Sequence, residues 1–480
     1  MVFAVLALYF CLLMLISHFT GKRTDNDTFF LGNRKSLWFV VAVGMVGSSV
    51  SGVSYVSVPG WVVHSGFTYM QMVLGFFFGY AIVAEVLLPL YYKLRLTSIY
   101  SYLDTRFGKK SQKTGAGFFF LANSIGAAAR LYVVAIVLQQ VVFVSFGAKI
   151  PFVLMVAGIL LLIWLYTFRG GFKTIIWTDV LQTFFLVLSV ILIIWQLLTR
   201  LDLNIFEAIN TIAQSDYSRM FVFDDWTSRQ NFWKQFLSGI FVVIAMTGLD
   251  QDMMQKNLTC KTLKDAKRNM YACGLMFIPL NLLFLSMGVL MYLFAAQNGI
   301  ALPQSGDEVL PMLATPSVLG TAASLFFIIG IVSVTFSSSD STIAALCTSF
   351  YIDILGKDEH KDSSKNKRIR SRIYFACCAL LLVLTLLFRL LNDTSLIDAI
   401  YTIVSYTYGP LLGLFAFGLF CKKRKPGDHL VPYICIASPL LIAALQYIST
   451  TCWNYTFGYE LLILNGFISF CGLWAISKKI

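Results

Sequence analysis

Apolar residues along this chain come in blocks of about 18 to 30, parted by short polar stretches. Each block is long enough to cross ~30 Å of hydrocarbon as a helix. The pattern predicts thirteen spans, near residues 2–18, 37–63, 69–92, 115–146, 151–168, 174–199, 235–255, 270–296, 317–352, 373–388, 397–420, 430–449 and 458–477. An all-α polytopic membrane protein follows, since nothing outside the blocks is large enough for a soluble domain. The first block lacks a basic leader and is followed by Lys22 and Arg23. It reads as a retained span with its N-terminus outside, not as a signal peptide.

Two spans are interrupted. The second carries Gly44, Gly47, Ser48, Ser49, Ser51, Gly52 and Ser54, then Pro59-Gly60; the seventh carries Thr247-Gly248, then Asp250, Gln251 and Asp252. Small and polar residues weaken a helix by entropy and by competing for its backbone bonds. In a bilayer, unwound backbone is tolerated only against protein or a wet cavity. The two interruptions lie five spans apart, so the spans run in opposite directions, as inverted copies require. The chain divides into a first peripheral helix and inner loop (1–36), a first repeat (37–200), an outer loop (201–232), a second repeat (233–420) and two C-terminal peripheral helices (421–480). Paired discontinuous helices in inverted repeats mark secondary transporters, with solute and ions near the midplane.

Charge sharpens the topology. Of 37 Lys and Arg residues, the predicted inner loops hold 30 and the outer loops and helix ends 6, leaving Arg130 within a span. That asymmetry is the positive-inside rule. It places the C-terminus in the cytoplasm and assigns the net charge of +13 to contact with anionic lipid heads instead of nucleic acid. Hydrophobic residues make up 58% of the chain and charged ones 13%. The ten cysteines are scattered, and no His/Cys cluster or phosphate-binding glycine loop occurs. Enzyme chemistry is therefore not expected, nor an obligate protein partner. The simple loops suit a bacterial inner membrane.

The polar residues inside the spans are the candidates for chemistry. Arg130 sits deep in the fourth span, where a guanidinium costs about 2.5–3.5 kcal/mol on insertion scales. It needs either an ion pair, with Asp340 or Asp179, or a solute carboxylate, which its planar fork suits. In the ninth span Ser333, Ser337, Asp340 and Ser341 share a helical face, with Ser338 beside it. Hydroxyls, carbonyls and a carboxylate are ligands for a hard cation. Asp179 is either a cation ligand or an interfacial carboxylate paired with Lys173. Glu85 reads as a surface carboxylate near Lys93, and Asp250 and Asp252 as gate or structural groups within reach of Lys256, Lys261 or Arg268.

Six segments, DTFFLGNRKSLWF, GSSVSGVSYVSVPG, RGGFKTIIWTDVLQ, GLDQDMMQKNLTCKTLKDAKRN, SSSDSTIAALCTSFYIDIL and YGPLLGLFAFGLFCKK, occur in an order and on sides that resemble the sodium/solute symporter family, nearest to its sialic acid branch. The resemblance implies a leucine-transporter-type fold of five plus five core helices. It implies a main sodium site at Gly47, Val50, Val334, Ser337 and Ser338, and a second site at Asp179, Ser337, Asp340 and Ser341. Asp340 stands where relatives carry a hydroxyl, which leaves three roles open: a stronger cation site, a proton-linked one, or a counter-ion for Arg130. The same resemblance puts the solute at Ser49, Ser51, Ser54 and Arg130. Val73 stands where a Gln or Glu is usual, with Gln71 as a substitute two residues away. An aromatic sugar pocket is not evident.

The expected function is import of a small organic solute, a carboxylate such as sialic acid, driven by one or two sodium ions through alternating access. A neutral sugar, amino acid or vitamin is the nearer alternative. A channel or a transporter-like sensor is the more distant one, and the end of the chain at Lys478-Lys479 leaves no output domain for the latter.

Overall fold

The computed structural model of the chain describes residues 2–21, 25–139, 150–168, 170–358, 364–391, 396–453, 455 and 457–479. The predicted end of the fourth span, 140–146, lies outside them. The apolar helices are α1 (Val2–Thr20), α2 (Trp38–Ser49), α3 (Gly52–Gly60), α4 (Tyr69–Lys93), α5 (Lys109–Val137), α6 (Phe152–Thr167), α7 (Phe172–Leu201), α8 (Phe232–Gly248), α9 (Gln251–Leu258), α10 (Leu263–Gln297), α11 (Thr321–Ile354), α12 (Ser364–Leu391), α13 (Leu396–Phe420), α14 (Val431–Trp453) and α15 (Leu461–Ala475). Eight helices are long and apolar enough to cross a membrane. The bent pairs α2–α3 and α8–α9 raise that to ten, and three more apolar helices are shorter. Among the described residues the helices are joined by a two-stranded antiparallel sheet, β1 (Arg424–Pro426) with β2 (Ser477–Lys479), and an isolated bridge between Ser36 and Cys260. The sheet joins the two basic stretches that leave α13 and α15.

Both interruptions are present, and each has a local cause. The ladder of α2 stops at Val50 N donating to Val46 O (3.1 Å), and Val50 and Ser51 are extended. Ser51 then caps α3 by accepting from Ser54 N at 3.2 Å, and the chain turns by 62°. The second break follows a π-turn at Ile244–Gly248. Asp250 caps α9, its Oδ1 accepting from Asp252 N at 2.7 Å and Met253 N at 3.3 Å, and the bend is 66°. Such caps satisfy donors that no helix supplies and that hydrocarbon cannot.

Helix α11 runs through the centre, and all of residues 330–349 are buried. It packs on α7, and α7 packs on α2. Close approach here depends on glycine: a Cβ at Gly47 would overlap Thr183, and one at Gly44 would meet Asp179 Cβ at 2.9 Å. Thr183 Oγ1 bridges the same contact by donating to Val43 O at 3.0 Å. The other face of α7 carries exposed Phe184, Ile191 and Trp195, a stripe suited to lipid tails. Helix α14 is peripheral, with Tyr433, Ile436, Leu440 and Tyr447 exposed.

Candidate functional site

Between the two breaks lies a cavity of about 160 Å³. The first break contributes Ser49, Ser51 and Ser54, and the second contributes Thr247, Asp252 and Met253. Helix α5 adds Asn123, Gly126 and Arg130, which share a face at spacings of three and four. Helix α11 adds Ser338 and Thr342, and α13 adds Tyr408. An aromatic wall, not evident from the residue pattern, is present: Trp61, Tyr69, Phe76, Phe277 and Tyr80 line one side. They touch in series, with ring centroids 5.8–6.3 Å apart. Trp61 and Tyr69 also line a second cavity of about 500 Å³ at the mouth.

Arg130 lines this cavity together with Asp252, which lies within its electrostatic reach. It forms no hydrogen bond and no ion pair among the described residues. The pairs expected with Asp340 or Asp179 do not form, because both carboxylates are engaged elsewhere. Asp250, one of the charges within electrostatic reach of Arg130, is fully occupied. Its Oδ1 caps α9 and its Oδ2 accepts from Asn123 Nδ2 (2.8 Å) and from the Tyr408 hydroxyl. It is structural, as expected, but pairs with none of Lys256, Lys261 or Arg268.

Helix α2 packs on α11. Gly47 lies in the last turn of α2 and Val50 in the break, where the helix ladder ends. Val334, Ser337 and Ser338 lie on α11, and all three are buried. Ser338 Oγ donates to Thr335 O at 3.3 Å and lines the cavity; Ser337 lies behind it. Among the described residues no three His, Cys, Asp or Glu side chains converge as metal ligands. Neutral carbonyl and hydroxyl oxygens suit a hard monovalent cation, where a softer metal would want nitrogen or sulfur.

Behind the cavity is a buried charge cluster that corrects several expectations. Asp179 is no interfacial carboxylate paired with Lys173. It is fully buried, 2.8 Å from the ammonium of Lys256, and its Oδ1 accepts from Ser337 Oγ at 2.7 Å. Lys256, counted above among the inner-loop charges, is only 1% exposed. Helix α9 continues past the predicted end at 255, so Arg130 is not the only cation within a span. Asp340 accepts from the Tyr166 hydroxyl. Ser341 Oγ and Thr342 Oγ1 donate to Asp252 Oδ2 at 3.2 and 2.9 Å, leaving Asp252 Oδ1 and Asp340 Oδ1 buried and unbonded.

Two placements differ outright. Gln71 does not reach the cavity. It is fully buried beneath the outer loop, donating to Gln230 O (2.9 Å) and Thr68 O (3.2 Å) and accepting from Val222 N (3.0 Å). Glu85 pairs with Lys267 and Tyr271 of α10, not with Lys93. Sequence reasoning passed over Asn123, Thr342 and Tyr408, and it read Asp252 as a gate or structural group and Lys256 as an inner-loop charge. Two signals were available: Asn123 lies two turns before Arg130, and Asp252 and Lys256 stand at i and i+4. Nothing local marks Tyr408, which arrives from a distant helix.

Comparison with known proteins gives the family and the fold. The sequence model of the sodium:solute symporter family matches residues 29–427. The sodium/sialic acid symporter SiaT of Proteus mirabilis is 25% identical over 457 residues, 93% of this chain and 89% of that protein. The human sodium/iodide cotransporter is 27% identical over 432 residues, 85% of this chain but only 63% of its own length. A solved structure of a Na+-coupled sialic acid symporter, substrate-bound and outward-open, superposes with a TM-score of 0.84 at 21% identity. That match covers 100% of this chain and 99% of the other, and it establishes the shared fold.

Proposed function

The chain belongs to the sodium:solute symporter family, and from that premise we propose that it imports a small organic carboxylate, sialic acid or a close analogue, by alternating access. It is an integral membrane protein and uses sodium, as its family does. The observation that carries the carboxylate is Arg130, a guanidinium with no hydrogen bond or ion pair among the described residues, at a cavity lined mainly by hydroxyls together with Asp250 and Asp252. A carboxylate would pair both prongs of its fork. Ser49, Ser51 and Ser54 would hold solute hydroxyls, and the aromatic series would cover apolar ring faces. The relatives named for sialic acid support the same choice.

Sodium would bind at the Gly47 and Val50 carbonyls, the Val334 carbonyl and the Ser337 and Ser338 hydroxyls. It ties the first broken helix to α11 and orders the segment that carries the solute hydroxyls. Each ligand thereby raises affinity for the other, and the coupling is reciprocal. Ten spans and three shorter apolar helices make thirteen crossings, with inverted repeats at 37–200 and 233–420. The positive-inside distribution supports an outer N-terminus and a cytoplasmic C-terminus in a bacterial inner membrane. The test is uptake by proteoliposomes of a panel of acids and neutral sugars, with and without a sodium gradient. Sodium-driven uptake of sialic acid supports the proposal. Equal uptake in potassium-only buffer defeats the coupling, and preference for a neutral sugar defeats the carboxylate.

A further inference from the structure

The region behind the cavity already holds a cation, and it is part of the chain. Lys256 Nζ donates to Ser48 Oγ at 2.6 Å and lies 2.8 Å from Asp179 Oδ2. Ser48 belongs to the interrupted stretch of α2, and Asp179 belongs to α7. The other oxygen of Asp179 receives the Ser337 hydroxyl of α11. One ammonium on α9 therefore ties α2 to α7, and through Asp179 to α11. These are the elements a bound metal ion would join.

We propose that Lys256 is a tethered replacement for a second sodium ion, so that each solute is coupled to one sodium. This rests on the sodium-driven reading above. A second site would need Asp179, Asp340, Ser337 and Ser341. Asp179, the carboxylate on which that site turns, is already held by the ammonium; Ser337 and Ser341 donate their protons to Asp179 and Asp252 and keep their oxygens free. An added sodium at Asp179 would stand against a like charge at about 4 Å. In a medium of effective dielectric near 20 that repulsion taken alone is worth roughly a thousandfold in affinity, set against the attraction of Asp252 and Asp340. The ammonium does not leave cheaply, because it is buried and is attracted by Asp179, Asp252 and Asp340. Lys256 is thus a positioning residue. It fixes the first broken helix as a second ion would, but it does not cross the membrane. With a monovalent anion and one sodium, a transport cycle moves no net charge.

Paired measurements of sodium and solute uptake by wild-type proteoliposomes, with sodium titrations of purified protein followed by thermal shift, decide the matter. The expected wild type carries one sodium per solute and gives a single-site isotherm. Lys256→Met, with Asp179 released, acquires a second sodium, a sigmoid titration and one positive charge moved per solute. Lys256→Arg stays single-site, and Lys256→Met with Asp179→Asn returns to it. Two sodium ions per solute in wild type overturn the assignment alone, as does a single-site isotherm in folded Lys256→Met. If that variant does not fold, the wild-type ratio decides. Indifference of wild type to sodium overturns the sodium reading and this assignment together.

Discussion

Tyr166 donates its hydroxyl proton to Asp340 Oδ2 at 2.7 Å, across the contact of α6 with α11, and both side chains are out of solvent. This bond gives Asp340 its place. The carboxylate is held by a neutral donor on a neighbouring helix and is remote in role from Arg130. Removing the donor strands a buried oxygen. Tyr166→Phe is expected to lower stability by ~1–3 kcal/mol. Asp340→Asn in the same protein should recover part of that, because the charge that lost its donor is gone. Thermal unfolding in detergent of the two single variants and the double variant measures the coupling, and simple additivity would contradict it.

Arg130 should be decisive for solute and indifferent for sodium. Arg130→Ala is expected to abolish uptake of carboxylates while the sodium-induced thermal shift persists. Arg130→Lys is expected to weaken carboxylate affinity roughly tenfold or more, since a point charge cannot replace the planar fork. Wild-type uptake by Arg130→Ala membranes would remove the carboxylate assignment.

Ser337 serves two neighbours, as a proposed sodium ligand and as the donor to Asp179. Ser337→Ala is expected to raise the sodium concentration for half-maximal uptake roughly tenfold or more. Solute affinity at saturating sodium should change much less. Sodium titrations of uptake at fixed solute separate the two effects, and an unchanged midpoint would exclude Ser337 from the site.

Gln71 should matter for the outer loop and not for the solute. Gln71→Ala leaves the Val222 amide and the Gln230 carbonyl without their partner, at ~1–3 kcal/mol. Hydrogen exchange should rise around Val222 while the half-saturating solute concentration holds. A large loss of solute affinity with unchanged exchange would return Gln71 to the cavity.

The α2–α7 contact should reject even one methyl group. Gly47→Ala drives a Cβ into Thr183, and overpacking of this kind costs about 1–3 kcal/mol. Adding Thr183→Ala removes the hydroxyl overlap but leaves the Cβ of residue 183 at 2.8 Å, so it should restore only part of the loss in a thermal unfolding assay, and Thr183→Gly should restore more.

The positions of the apolar helices and of both breaks were fixed by the sequence, because hydrocarbon leaves a backbone few choices and the residues that tolerate a break are small, polar or capping. The face shared by Ser337, Ser338 and Ser341 was equally plain, since helical spacing is a local property. Partnerships were not. Lys256 lies one residue beyond the predicted end of its span, so it read as an inner-loop charge until folding placed it beside Asp179, 77 positions earlier in the chain. Gln71 looked like a solute ligand until the outer loop folded over it, and the aromatic wall assembled from three separate stretches. Periodicity says which face a residue occupies on its own helix. Only the packing of helices distant in sequence decides which charge meets which, and that is where the chemistry of this site was settled.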